Sequence, residues 1–575
     1  MLQPLIRVLG FGVLLSVVAI AQDTKVVPKK SAAKRLAAEA SETADANAKQ
    51  DGPAKSSSSA SHSMRSLQSR AIQEQSASWG YWGNQPERFS TWTNHSNRLI
   101  PVYTFGMTLD AIRERGSQYA SASELEKLYG QVPEATLNPT ATYYDQTEIY
   151  ALQQAAVDAG YRYIILIIFD GMDWQTTRAA AIYQAGEVGY ESGRGTGLAF
   201  QDYRGAATDF GLVCTSPWSS GAKYDVDAQI VLNPNHPSTG GYDPSRGGEA
   251  PWLEQSRRDY LLGLDRQMPH TVTDSSSSAT SITSGIKTYN GAINFAPDGN
   301  QVVPIARQLQ AEHDFQIGVV TSVPVSHATP AAAYANNVTR KDYQDLARDM
   351  LGLPSSAHRD PLPGVDVLIG GGWGEKAAED KTQGSNFAPG NPYLHQDDLR
   401  RSDLKNNGRY RVVQRQAGVS GADSLMAAAQ SAAAEDQRLL GYFGTKGGHL
   451  PFATADGKYN PTFDIKGVER YTQADILENP TLADMTAAAL TVLEQSVHGF
   501  WLMIEAGDVD WANHSNNIDN SIGAVLSGDA AFSVVTDWIE RNNAWGTTAV
   551  IVTADHGHFF VIDDPEPIAR AGRKK

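Results

Sequence analysis

The sequence predicts an α/β fold: a doubly wound, mostly parallel central sheet with helices on both faces and with loop insertions. Three observations predict it. Four apolar runs, YRYIILIIFDG (161–171), FQIGVVTS (315–322), GFWLMIEAGD (499–508) and TTAVIVTADHGH (547–558), read as strands buried on both faces. Helical stretches such as PIARQLQAEH and LADMTAAALTVLEQSV lie between them, the alternation expected of a parallel sheet. Acidic residues close three of the runs: Asp170, then Glu505, Asp508 and Asp510, then Asp555. Open α/β sheets bind ligands beyond the carboxyl ends of their strands, so this gathering of acid points to a cation.

Taken in chain order, Arg7 and the apolar run VLGFGVLLSVVAIA make residues 1–21 read as a signal peptide, which predicts an exported protein, periplasmic or extracellular. Residues 22–78, rich in Ala, Ser, Lys and Glu, read as a disordered or loosely helical low-complexity tether. Aromatic density rises at SWGYWGNQPERFSTW, so one folded domain is expected over 79–575, with insertions near 185–265 and 372–465. The first insertion reads equally as a lid or a structural element; the second as a crown or a dimer contact. A homodimer therefore stays open as the assembly.

The chain has 575 residues, 41% hydrophobic and 19% charged, with a formal net charge of −16. That charge argues against a nucleic-acid surface and against anionic membranes. No segment after residue 21 reads as apolar enough for stable membrane insertion. Cys214 is the only cysteine, so no internal disulfide holds the fold.

Two clusters carry candidate chemistry. Glu505, Asp510 and His514 come from one strand-to-loop segment, and Asp555, His556 and His558 from another. Carboxylates mixed with imidazoles suit zinc, and an all-oxygen set suits magnesium. A lone acidic residue after a strand serves equally well as a helix cap. The second cluster is TVTDSSSSATSITSGIKTYNGAIN (271–294), where Asp274 and four serines precede a short helix. A helix N-terminus favours a bound anion, and a serine there becomes a nucleophile if metal stabilises its alkoxide. The same composition suits a flexible turn. There is no Gly-x-Ser-x-Gly elbow, which counts against an esterase triad.

These motifs resemble the alkaline phosphatases. FDGM, TDSSSSATSITSGIKTYNGAI, SHATPAAAYANNVTR, VDVLIGGG, LADMTAAALTVLEQSVHGFWLMIEAGDVDWANH and VTADHGH follow the family's order from about residue 160 to 560. The resemblance implies a phosphate monoester hydrolase with two zincs and one magnesium. It makes Ser275 the residue that becomes phosphorylated and Arg340 the fork that grips phosphate. One zinc would rest on Asp170, Asp555 and His556, the other on Asp510 and His514, and magnesium on Asp170, Thr329 and Glu505. His327 and Trp511 occupy two substrate-binding positions that vary within the family. A phosphodiesterase of the same superfamily, or a pseudoenzyme that holds phosphate or metal without turnover, are the alternatives. A sulfatase would need a Cys/Ser-x-Pro-x-Arg context, absent around Ser275.

One departure stands out. The family's second zinc takes a further histidine downstream of the ADH motif, and no histidine follows His558 here. HSNRLIPVYTFG, starting at His95, resembles that missing piece, and YYDQTEIYALQQAA resembles the family's closing helix. Residues 91–160 thus resemble the family's C-terminal segment carried to the front, a circular permutation in which His95 completes the second zinc site. The alternatives are a chance Asn-x-Ser sequence at 94–96, or a C-terminal piece beyond Lys575.

Overall fold

In the computed structural model, described over residues 63–91, 95–253, 257–462 and 469–573, ten strands form one sheet. In chain order they are β1 (Ile100–Phe105), β2 (Tyr144–Asp145), β3 (Tyr163–Phe169), β4 (Thr208–Cys214) and β5 (Gln316–Pro324). There follow β6 (Val367–Gly371), β7 (Tyr410–Gln414), β8 (Arg438–Tyr442), β9 (Phe500–Ala506) and β10 (Thr548–Thr553). Their spatial order is β7-β8-β6-β5-β9-β3-β10-β1-β4-β2. Only β1 runs against its neighbours. The four apolar runs are the four adjacent central strands β5, β9, β3 and β10, which is why they carry almost no polar residue.

Side-chain alternation along β9 shows that both faces are covered. Phe500 and Tyr163 pack on Trp538 of helix Ile518–Arg541. Trp501, pointing the other way, donates its indole N–H to Gln153 of helix Glu148–Asp158 at 2.8 Å. The first face also holds helices Leu482–Leu493 and Trp174–Ala185; the second holds Ser275–Ser284, Ile305–His313 and Ala328–Ala332. Helix Ile518–Arg541 is long and apolar enough to cross a membrane, contrary to the reading of the sequence. However, 67% of its most apolar window is buried in the fold, as suits a core helix.

Register brings the strand ends level. Ala506 of β9 pairs with Phe169 of β3, and Thr553 of β10 with Ile168. The residues that follow, Asp170, Asp508–Asp510 and Asp555–His556, therefore leave the sheet at one edge.

Residues 1–62, which include the expected signal peptide and most of the expected tether, lie outside the described residues; in the rest of that tether, Met64–Glu74 is a helix with Met64, Gln68 and Ala71 buried. Gln68 there donates to Asn517 at 3.0 Å. Of the segments expected as insertions, 185–265 contains β4, and 372–465 contains β7 and β8, which form one edge of the sheet.

Candidate active site

The serine run is no flexible turn. Asp274 caps helix Ser275–Ser284, its carboxylate accepting the Ser277 N–H at 3.0 Å, and Ser275 to Ser278 are all buried. Ser275 occupies the helix's first turn, where unpaired N–H groups and the dipole favour an anion. The Asp274 carboxylate also accepts from Gly291 N–H at 3.1 Å and pairs with Arg340 at 3.2 Å, so capping group and guanidinium are mutually fixed. Helix Ala328–Ala332 brings Thr329 under the strand ends, its hydroxyl 3.5 Å from Asp170 Oδ2.

Opposite Ser275, the turn after β10 places Asp555 and His556. Gly171 and His556 both donate backbone N–H to Asp555 Oδ1, at 3.0 and 2.8 Å, leaving Oδ2 buried without a hydrogen-bond partner. His556 Nε2 lies 3.3 Å from Asp170 Oδ1, 3.5 Å from Asp555 Oδ2 and 3.2 Å from Ser275 Oγ. Asp170 Oδ1 and Glu505 Oε1 are likewise buried and unpartnered.

A second group lies beside it. Asp510 and His514 are four apart on helix Asp508–His514 and share a face, with His514 Nε2 3.4 Å from Asp510 Oδ1. His95 arrives from the other end of the chain because strand His95–Ser96 pairs with Gly557–His558, setting His95 opposite His558. Its Nδ1–H donates to the Thr273 carbonyl at 2.8 Å, which leaves Nε2 as a bare lone pair. That atom lies 3.2 Å from His514 Nε2 and 3.7 Å from Asp510 Oδ1. A buried ion pair anchors the segment: Arg98 meets Asp173 at 3.0 Å and stacks over Phe559, 4.0 Å from its centroid.

The donor sets fit metal. Ligands about 2.1 Å from a tetrahedral zinc stand roughly 3.4 Å apart, the spacing found within both groups. Atoms of Asp170, Asp555 and His556 all lie within 4.8 Å of one another, as do those of His95, Asp510, His556 and His558. Electrostatics agrees. Burial, then Asp555, Asp510 and Glu505, raises the Asp170 carboxyl well above its usual range. Burial lifts Glu505 to about 8 and Asp555 to about 6, against hydrogen bonds from Thr321 and Gly171. Burial also pushes His556 down to about 3, favouring the neutral imidazole that binds metal. Carboxylates crowded to the point of holding protons are relieved by a cation.

The structure thus brings together Ser275, Arg340, Asp170, Thr329, Asp555, His556, Asp510, His514 and His95. Glu505 closes β9 and accepts the Thr321 hydroxyl. His327 and Trp511 form one wall, their rings 5.9 Å apart, with Tyr343 stacked on His327 at 6.1 Å. His558 is absent from the expected ligand set, yet its Nε2–H donates to Asp510 Oδ1 at 2.7 Å. Its place two residues after His556 was the available signal. Gly171 was read only as part of FDGM. Its φ is +74°, and a Cβ there would lie 2.9 Å from the His558 ring and 3.0 Å from the Asp510 Cα, so no larger residue fits.

Comparison with known proteins places the chain in a family. Residues 256–570 match the family described as alkaline phosphatase. Alkaline phosphatase 3 of Bacillus subtilis is 28% identical over 302 residues, covering 52% of each chain. Alkaline phosphatase 4 of the same organism is 27% identical over 290 residues, covering 50% of each, so the match spans about half the length of these relatives. Alkaline phosphatase H of Pseudomonas aeruginosa is 30% identical over 368 residues, covering 60% of this chain and 69% of that one. Among solved structures, the cold-active alkaline phosphatase from the psychrophile Shewanella sp. aligns at 22% identity over 69% of this chain and 68% of its own, with a TM-score of 0.41.

Proposed function

Since the chain belongs to the alkaline phosphatase family, we propose that it hydrolyses phosphate monoesters through a phosphoserine at Ser275. The observation that supports this best is Ser275 Oγ at the head of its helix, 3.2 Å from His556 Nε2 and beside both ligand groups. Asp170, Asp555 and His556 would hold one zinc; Asp510, His514 and His95 the other; Asp170, Thr329 and Glu505 a magnesium. Bound there, the metals supply Lewis-acid stabilisation of the oxyanions that develop on nucleophile, phosphoryl group and leaving group.

The chain's own residues do the rest. Ser275 Oγ attacks phosphorus as it gives up its proton, the phosphorus–oxygen bond to the leaving group breaks, the departing oxygen takes up a proton, and a phosphoserine remains. Water then attacks phosphorus as it gives up a proton, the bond to Ser275 Oγ breaks, Oγ takes up a proton, and Ser275 is regenerated as inorganic phosphate is released. The Arg340 guanidinium, held in place by Asp274, presents paired N–H donors to two phosphoryl oxygens. Positioning and charge complementarity supply most of the rate in such transfers. His558 keeps Asp510 oriented.

The proposal includes the circular permutation. It is supported by the pairing of His95–Ser96 with Gly557–His558, by the run from helix Glu148–Asp158 into β3, and by the neighbouring helices Met64–Glu74 and Glu566–Gly572. Export through residues 1–21 belongs to the same reading.

The test is steady-state hydrolysis of p-nitrophenyl phosphate and of bis-p-nitrophenyl phosphate, with and without chelator. We expect monoester turnover that chelator abolishes and zinc with magnesium restores. Preference for the diester would favour the phosphodiesterase, and chelator-insensitive turnover would refute the metal mechanism.

A further inference from the structure

Gln146 lies outside every ligand set above, yet it is fully buried where the nucleophile's helix meets the Asp555 turn. We infer that Gln146 is a positioning residue that sets Ser275 against the Asp555–His556 ligand segment, an inference that rests on the phosphatase reading. Its side-chain N–H donates to the Asp555 carbonyl at 2.7 Å. Its side-chain oxygen accepts from the Ser278 hydroxyl at 2.8 Å, and that hydroxyl is also within reach of the Asp555 carbonyl. Ser278 is three residues beyond Ser275, on the same helical face. One carboxamide thereby joins the helix that presents the nucleophile to the backbone of a residue that would hold its metal.

The base of this clamp is itself fixed. The Gln146 backbone N–H donates to the Cys214 carbonyl at 3.0 Å, tying it to β4. Neighbouring Asp145 pairs with the buried Lys287 at 3.0 Å and accepts from the Tyr119 hydroxyl at 2.9 Å and the Thr147 N–H at 2.9 Å. Lys287 lies just past the end of the serine helix. Two polar bridges from adjacent residues thus hold one element at both of its ends. A clamp of this kind acts on the distance between Ser275 and His556, and a misplacement of about 1 Å at a reacting pair can cost roughly 10²-fold in rate. Neither the Gln146 side chain nor the Ser278 hydroxyl bonds to Arg340 or to its partner carboxylate, Asp274.

The test compares wild type with Gln146→Leu, Ser278→Ala and the double variant. For Gln146→Leu we expect kcat on p-nitrophenyl phosphate to fall about ten- to a hundredfold with KM within about twofold. The double variant should cost no more than the larger single change, because both remove one junction. A second readout needs no turnover: amide hydrogen exchange on metal-free protein. There Gln146→Leu should speed exchange at 275–278 and 555–556 and leave β3 and β9 protected. A folded Gln146→Leu enzyme with kcat within twofold of wild type would overturn the proposal, as would protection lost equally across the central strands. If Gln146→Leu fails to fold, Ser278→Ala, which removes one hydroxyl, carries the same outcomes. Should wild type hydrolyse no monoester, the phosphatase reading fails, and the exchange pattern still decides for or against the clamp.

Discussion

His95 shows how one side chain can be isolated in sequence and central in space. The Thr273 carbonyl fixes its tautomer, and its bare Nε2 faces His514 and Asp510. Losing a metal ligand's hydrogen-bond partner typically costs 10–100-fold in affinity or activity, and losing the ligand should cost at least that. His95→Ala should therefore retain one zinc fewer per chain under metal-buffered dialysis and lose at least ~10²-fold in turnover. Full zinc with normal turnover would remove His95 from the site. His558 makes the complementary point: it stands two residues after His556 in sequence, yet its own hydrogen bond is to Asp510.

At the scale of elements, the second face carries the serine helix, and a buried carboxyl in the chain beyond helix Ala328–Ala332 titrates. Asp342 precedes helix Tyr343–Leu351, two residues after Arg340. Burial, reinforced by Asp345, lifts its carboxyl to about 8, despite a hydrogen bond from Asn337 at 2.8 Å. The folded state thus keeps a proton that the unfolded chain has lost between pH about 4 and about 8. Stability should fall as pH rises through that window, by up to ~1.4 kcal/mol per pH unit for this one group. Asp342→Asn should flatten that slope and make the protein more stable than wild type above pH 8, as read by denaturant unfolding across pH. An unchanged slope would show that the group ionises freely in the fold. The elements also explain what could be read in advance. β3, β5, β9 and β10 were legible because burial on both faces demands unbroken apolar runs. β7 and β8 were not: YRVVQ lies at the sheet's edge and is mostly half-buried, and RLLGY is too short to stand out. Helix Met64–Glu74 was legible only as loosely helical, because three buried residues, one of them Gln68, hold a largely polar segment down.

For the whole molecule, the site is where distant parts of the chain are held together. Segments around 95, 146, 170, 275, 340, 510 and 555 converge there, and no disulfide reinforces them. The donor clusters were legible because acids and imidazoles at strand ends have few other uses in number. The order in which segments meet was legible only through resemblance, since no local pattern tells His95 where His558 will be. Metal should bind only the folded chain, so chelation should lower the melting temperature and zinc should restore it in a concentration-dependent way. A melting temperature indifferent to metal would mean the two groups do not hold it. The phosphoserine decides the proposed mechanism. Wild-type protein should be loaded with zinc and magnesium, quenched in acid during monoester turnover, and its phosphopeptides mapped. Phosphate is expected on Ser275 and none in Ser275→Ala, whose turnover should be almost abolished; turnover in wild type with no phosphate on Ser275, or near-normal turnover in Ser275→Ala, would refute the mechanism.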